Sequence, residues 1–202
     1  MASYLTNPAS LARLDSYIGG FKDKKLVYIP TAANGERGYG CWKTGGSWQV
    51  VPTLGARLDL LVLEDHIGED VIGRLKDADM IWLAGGQPGY LMYWLRRFKI
   101  DKALLEILNN GTVLVGSSAG SMVMAKDLKV CDCYIDEEEA GASVIPGLGL
   151  VDFDFYPHFR DEQLDEIKAQ YKGEKMYLVK DGEDIVVENN KVTVFGEERI
   201  IS

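Results

Sequence analysis

The chain has 202 residues, 47% of them hydrophobic, and a formal net charge of -9, with an isoelectric point near 4.8. That is enough apolar material for one well-buried α/β domain spanning residues 1–202, and too little length for two full ones. The negative balance, with no local basic patch, argues against non-specific binding to nucleic acid or to an anionic membrane surface, since both carry the same sign of charge.

The opening segment "MASYLTNPASLARL" has neither a basic leader nor an apolar core of signal-peptide length, and the longest strongly apolar stretch, "YLMYWL", is too short to span a bilayer. Both features predict a soluble, cytoplasmic protein. Cys41, Cys131 and Cys133 form an odd set suited to a reducing compartment. The only histidines are His66 and His158, too few to suggest a metal site alongside two close cysteines.

Apolar runs alternate with amphipathic ones. Strands are predicted at 25–31, 59–63, 79–84 and 112–116, with a short first strand at 3–6, and helices at about 8–18, 43–56, 69–76, 88–97 and 101–109. Pro88 sits where a first helical turn tolerates it, and Asn109-Asn110-Gly111 closes the last of these helices. The Gly- and aromatic-rich segment 34–48 reads as a surface loop or a flap over a site. This rhythm predicts a mostly parallel sheet flanked by helices on both faces, with ligands beyond the carboxyl ends of the strands. Further on, 128–135 and 150–156 read as strands, 161–171 as a helix, and 175–201 as a terminal β-ribbon turning at "ENNK".

Between the strand at 112–116 and the helix-forming residues after it lies Gly116-Ser117-Ser118-Ala119-Gly120, a G-x-S-x-G pattern in strand-to-helix context. A sharp turn there strains its central residue and demands small neighbours, which Gly116, Ala119 and Gly120 supply. Ser118 would project its hydroxyl above the sheet, with the Ala119 N–H as one oxyanion donor. A tight βα corner would use the same residues without any chemistry.

A serine nucleophile needs a base. His158 ends an alternating aromatic stretch in "FDFYPHFRDEQ", on the sheet side expected for the elbow, whereas His66 in "EDHIGED" suits a solvated loop. The carboxylate that would hold the imidazole is sought in "CDCYIDEEEAG", which offers Asp132, Asp136, Glu137, Glu138 and Glu139. The segment "GGQPG" lacks the full G-x-G-x-x-G spacing of a nucleotide-binding turn.

Several ordered stretches, "KLVYIPTA", "DADMIWLAGGQPGYLMYWLRR", "GSSAGSMVM" and "GLGLVDFDFYPHF", resemble the peptidase E family of serine peptidases, which includes aspartyl dipeptidases and, more distantly, cyanophycinases. The resemblance implies a Ser-His-acid triad on a class I glutamine amidotransferase-like sheet, hydrolysing a small peptide without metal or organic cofactor. Carried over residue by residue, it implies Ser118 as nucleophile, His158 as base, Gly86 with Ala119 as the oxyanion hole, and Asp136 as the acid, with Asp132 the other reading. Nucleophile and base stand only 40 residues apart, a shorter plan than an α/β-hydrolase usually has.

Two departures bear on the substrate. Gln87, followed by Pro88, stands where the family has an asparagine, and Arg160, the one arginine close after His158, is followed by Asp161 and Glu162. Gln87 and Arg160 are the expected substrate-binding side chains, but an arginine clamp for a terminal aspartate is poorly supported, and a neutral or basic substrate residue fits as well. A catalytically silent relative that binds a small molecule or a partner in the same pocket is the alternative function. The sequence leaves a homodimer open.

Overall fold

The computed structural model describes residues 1, 7–135 and 139–202. The strand expected at 3–6 lies outside them. Helix α1 (Pro8–Ile18) starts where the Asn7 side chain accepts the Ala9 N–H and stops at Gly19 in the left-handed region. There follow β1 (Lys25–Ile29), α2 (Thr31–Arg37), α3 (Gly46–Val50), β2 (Arg57–Leu60), α4 (Ile72–Lys76), β3 (Met80–Leu83), α5 (Pro88–Arg97), α6 (Ile100–Asn109) and β4 (Val113–Gly116). The four strands are parallel, in the order β2-β1-β3-β4.

The near-continuous apolar composition of β1 and β3, the inner strands, is explained by burial on both faces, whereas the edge strand β2 carries Arg57 and Asp59. Alternate residues divide between two layers: Val27, Ile29, Ile81 and Leu83 pack with Leu91, Leu95, Leu104 and Ile107 of α5 and α6, while Leu26, Tyr28, Met80 and Trp82 pack with Phe21, Val51 and the partly buried Leu11 and Leu14 of α1. Shifting one strand by a single residue would exchange its two faces, so the register is fixed. Leu83 pairs with Gly116, which brings the carboxyl ends of β3 and β4 level.

The rest of the chain comprises α7 (Ala119–Met122), β5 (Asp154–Tyr156), α8 (Leu164–Gln170), β6 (Met176–Leu178), β7 (Asp184–Glu188), β8 (Lys191–Phe195) and β9 (Ile200–Ile201). β5 pairs with β6 in parallel and β6 with β9 antiparallel, while β7 and β8 form a hairpin. Asn189 and Asn190 both take positive φ at the hairpin turn, a conformation asparagine tolerates better than most residues.

Three expectations need correction. The single helix expected at 43–56 is broken into a 3₁₀ turn at Cys41–Thr44, α3, and a second 3₁₀ turn at Val51–Thr53, where Gly45, Gly46 and Pro52 interrupt it. The strand expected at 128–135 is a 3₁₀ turn at Lys129–Asp132; Val130 and Cys133, three residues apart, face one core with Tyr156. The loop expected from residue 34 begins inside α2, which Glu64 anchors: its carboxylate accepts from Thr31 Oγ1 and Asn34 Nδ2, each at 2.9 Å, and from the Tyr90 hydroxyl of α5 at 3.3 Å. Glu64 thereby ties α2 to α5 at the carboxyl edge of the sheet.

Candidate active site

β4 ends at Gly116 and the chain turns through Ser117 into α7. Ser118, at the corner, has φ 50° and ψ −119°, a conformation that costs a non-glycine residue about 1–3 kcal/mol. The surroundings over-determine it. The Ser117 N–H donates to the Leu83 carbonyl at 3.1 Å. Gly120 packs so closely on Leu83 that a Cβ there would overlap its carbonyl oxygen.

His158 is delivered by the second sheet. Past the end of β5, the Tyr156 carbonyl accepts from the Val179 N–H at 2.9 Å and the Phe159 N–H donates to the Val179 carbonyl at 3.1 Å, so pairing continues on either side of the histidine. Tyr156 and Phe159 are buried with Met122, Ile167, Met176 and Leu178. His158 stands between them at φ 56° with its ring turned to the elbow.

Asp181 comes from the far end of β6, in a turn closed by the Glu183 N–H on the Lys180 carbonyl at 3.1 Å. The Glu183 carboxylate accepts from the Lys180 N–H at 2.9 Å and from Arg199 at 2.8 Å. Burial is the largest single influence on the Glu183 carboxyl and raises it, but Arg199 and the amides of Glu197 and Lys180 together outweigh it and hold the carboxyl below its usual value. Its charge keeps the turn in place.

The three side chains are in line. His158 Nε2 lies 3.1 Å from Ser118 Oγ, and Nδ1 lies 2.7 Å from Asp181 Oδ1. With the ring proton on Nδ1 directed at the carboxylate, Nε2 is left to accept from the serine hydroxyl. The Asp181 side chain is 62% exposed and that of His158 27%. The histidine therefore faces both Ser118 and water.

A pocket of about 360 Å³, open solvent included, is lined by Gly86, Gln87, Pro88, Ser118, Met122, Cys131, Tyr134 and Glu139. Gly86 takes φ 133° against α2, where a Cβ would overlap the Ala32 backbone, and the Gln87 N–H donates to the Ala32 carbonyl at 3.0 Å. Only glycine fits at that position. Ala119 is fully buried as the first residue of α7, a position whose N–H has no acceptor within its own helix.

Of the residues singled out in the sequence, the structure brings Ser118, His158, Gly86 and Gln87 to one site, with Ala119 adjoining. Arg160 is not among the residues lining the pocket, and its Nε bonds Glu162 at 3.1 Å. His66 is bound to Glu69 and Arg74, in a separate group with no contact to the serine. Asp136 lies outside the described residues. Asp132 is in the 3₁₀ turn after α7. Asp181, which bonds His158, lies after the histidine in the chain, outside the segment "CDCYIDEEEAG" in which the sequence places the carboxylate. The signal for it, a polar Lys-Asp-Gly turn ending the strand "KMYLV", is present but common. Among the described residues, no cluster of three or more His, Cys, Asp or Glu side chains is placed to hold a metal ion, and no helix is long and apolar enough to cross a membrane.

A strained serine at a strand-to-helix corner, facing a histidine that a carboxylate orients, is the constellation used by hydrolases that work through a nucleophilic side chain. The family model of peptidase family S51 matches residues 3–195, and the chain belongs to that family of peptidases. Among its relatives, the uncharacterized peptidase Lmo0363 of Listeria monocytogenes serovar 1/2a is 26% identical over 176 residues, covering 84% of each chain. Peptidase E of Haemophilus influenzae is 22% identical over 95% of this chain and 83% of its own length. A crystal structure of a Listeria monocytogenes EGD-e protein described as a candidate peptidase E has a TM-score of 0.78 at 20% identity, covering 96% of this chain and 95% of that one. A peptidase from an acI-B1 Actinobacterium has a TM-score of 0.69 at 19% identity, covering 100% and 92%. The fold is shared with both.

Proposed function

We propose that the protein is a serine peptidase that hydrolyses a small peptide through an acyl-enzyme on Ser118. The observation that carries this reading is the 3.1 Å hydrogen bond between Ser118 Oγ and His158 Nε2, with Asp181 on the opposite ring nitrogen. His158 takes the hydroxyl proton as Oγ attacks the peptide carbonyl. The resulting oxyanion is received by the amides of Gly86 and Ala119. His158 then passes the proton to the leaving amine. Water, activated by the same imidazole, attacks the ester, and collapse of the second tetrahedral intermediate frees the acid and restores Ser118.

Asp181 supports this cycle by holding the Nδ1 proton and stabilising the imidazolium while it exists. The pocket beside Ser118 is lined by the Gln87-Pro88 turn and by Glu139, whose carboxylate accepts from the amides of Gly89 and Tyr90 just after that turn. The test is to incubate wild type and Ser118→Ala with a dipeptide library and follow cleavage by mass spectrometry. Cleavage by wild type alone supports the reading; equal cleavage by the variant contradicts it.

A further inference from the structure

Among the described residues lining the pocket at Ser118, Glu139 alone carries a charge. Its Oε2 accepts from the Gly89 N–H and its Oε1 from the Tyr90 N–H, both at 2.8 Å, in the first turn of α5. The carboxylate thus sits on the positive end of a ten-residue helix. The sequence reserves this seat, since a Cβ at Gly89 would stand 2.7 Å from Oε1. The charge is felt across the pocket. Burial, reinforced by Glu139, pushes the Cys131 thiol up to about 12.

The α5 N-terminus is where a substrate carboxylate would otherwise dock, and Glu139 already fills it. An acidic substrate group entering here would meet a like charge. A cation would meet a fixed carboxylate, because each oxygen has a second lone pair beyond its backbone bond. Two of the cations close to His158 are already engaged, Arg160 with Glu162 and Lys180 with Asp161.

Building on the reading of Ser118 as nucleophile, we infer that Glu139 is the specificity-determining residue of this pocket, anchoring a substrate cation, either an ammonium or a guanidinium. That group is supplied by a basic side chain or by the free α-amine of a small peptide, and the two sources separate experimentally. The Gly89 and Tyr90 amides hold the anchor in place.

The experiment measures kcat/KM for Arg-Ala, Ala-Arg, their citrulline counterparts, N-acetylated forms of each, and Asp-Ala. Citrulline keeps the shape of arginine without its charge. Wild type should prefer the cationic member of the deciding pair by at least about tenfold, and the preference should shrink at raised salt. If the side chain is the source, the arginine preference survives acetylation; if the α-amine is, acetylation removes activity and citrulline matches arginine. Glu139→Gln, which removes the charge and one of the two acceptors of the helix amides, and Gly89→Ala, which displaces the carboxylate, should each collapse the preference to within about twofold. The wild-type panel decides alone should a variant not fold. Indifference to both charge and acetylation, or Asp-Ala cleaved as well as the cationic peptides, overturns the assignment. Labelling the same wild-type sample with a fluorophosphonate separates the two claims: an adduct on Ser118 confines such a failure to Glu139, whereas no adduct overturns the serine reading and this inference with it.

Discussion

His158 and Asp181 meet because β5 and β6 run parallel. The histidine lies just beyond the end of one strand and the aspartate just beyond the end of the other, and their side chains close to 2.7 Å. Since Asp181 is 62% exposed, water and salt screen its hold on the imidazole. Asp181→Asn is expected to slow acylation of Ser118 by about 100-fold, less than the roughly 10⁴-fold loss when a buried triad aspartate is replaced. Asp136→Asn, made alongside, is expected to cost less; a larger loss at 136 would move the orienting role there.

Strain at the elbow makes a stability prediction that runs against activity. Ser118→Ala keeps a Cβ in the positive-φ corner, while Ser118→Gly removes it, and both abolish hydrolysis. The glycine variant is expected to be more stable than the alanine variant by about 1 kcal/mol, once its greater unfolded-state freedom is counted. Urea unfolding of the two proteins measures the difference.

Gly120 should accept no side chain. A Cβ there would overlap the Leu83 carbonyl oxygen, which also receives the Ser117 N–H. Gly120→Ala is expected to lose about 1–3 kcal/mol of stability and to displace Ser118 from His158. Denaturation midpoints and turnover should fall together.

Asp154 provides a pH signature. Burial raises its carboxyl above the usual value of 3.8, against the opposing bond from the Tyr171 hydroxyl at 2.6 Å. A raised folded-state value means that the folded protein holds this proton more tightly than the unfolded chain does. Stability from this group is therefore greatest below the unfolded value and declines as pH rises towards the folded one. Asp154→Asn should remove that decline, so that its stability relative to wild type improves from about pH 4 upward. Paired urea titrations across the acid range check the sign.

The central sheet was legible because its inner strands are short apolar runs flanked by turn residues, as in the run ending at Leu83. The serine corner was legible because its geometry admits only small residues. The 3₁₀ turn at Lys129–Asp132 was not, because the short apolar-polar-apolar run Leu128-Lys129-Val130 fits a strand as well as a turn. Asp181 was hidden for a different reason. Its partnership with His158 is created by pairing between β5 and β6, and nothing local in "VKDGED" distinguishes an orienting carboxylate from an ordinary turn aspartate.

The most direct test of the account is labelling of wild type and His158→Ala with a fluorophosphonate, mapping the adduct by mass spectrometry. An activated serine requires an adduct on Ser118 in the wild type that disappears without the histidine. No adduct on the folded wild type, or one formed equally fast in both proteins, would contradict it.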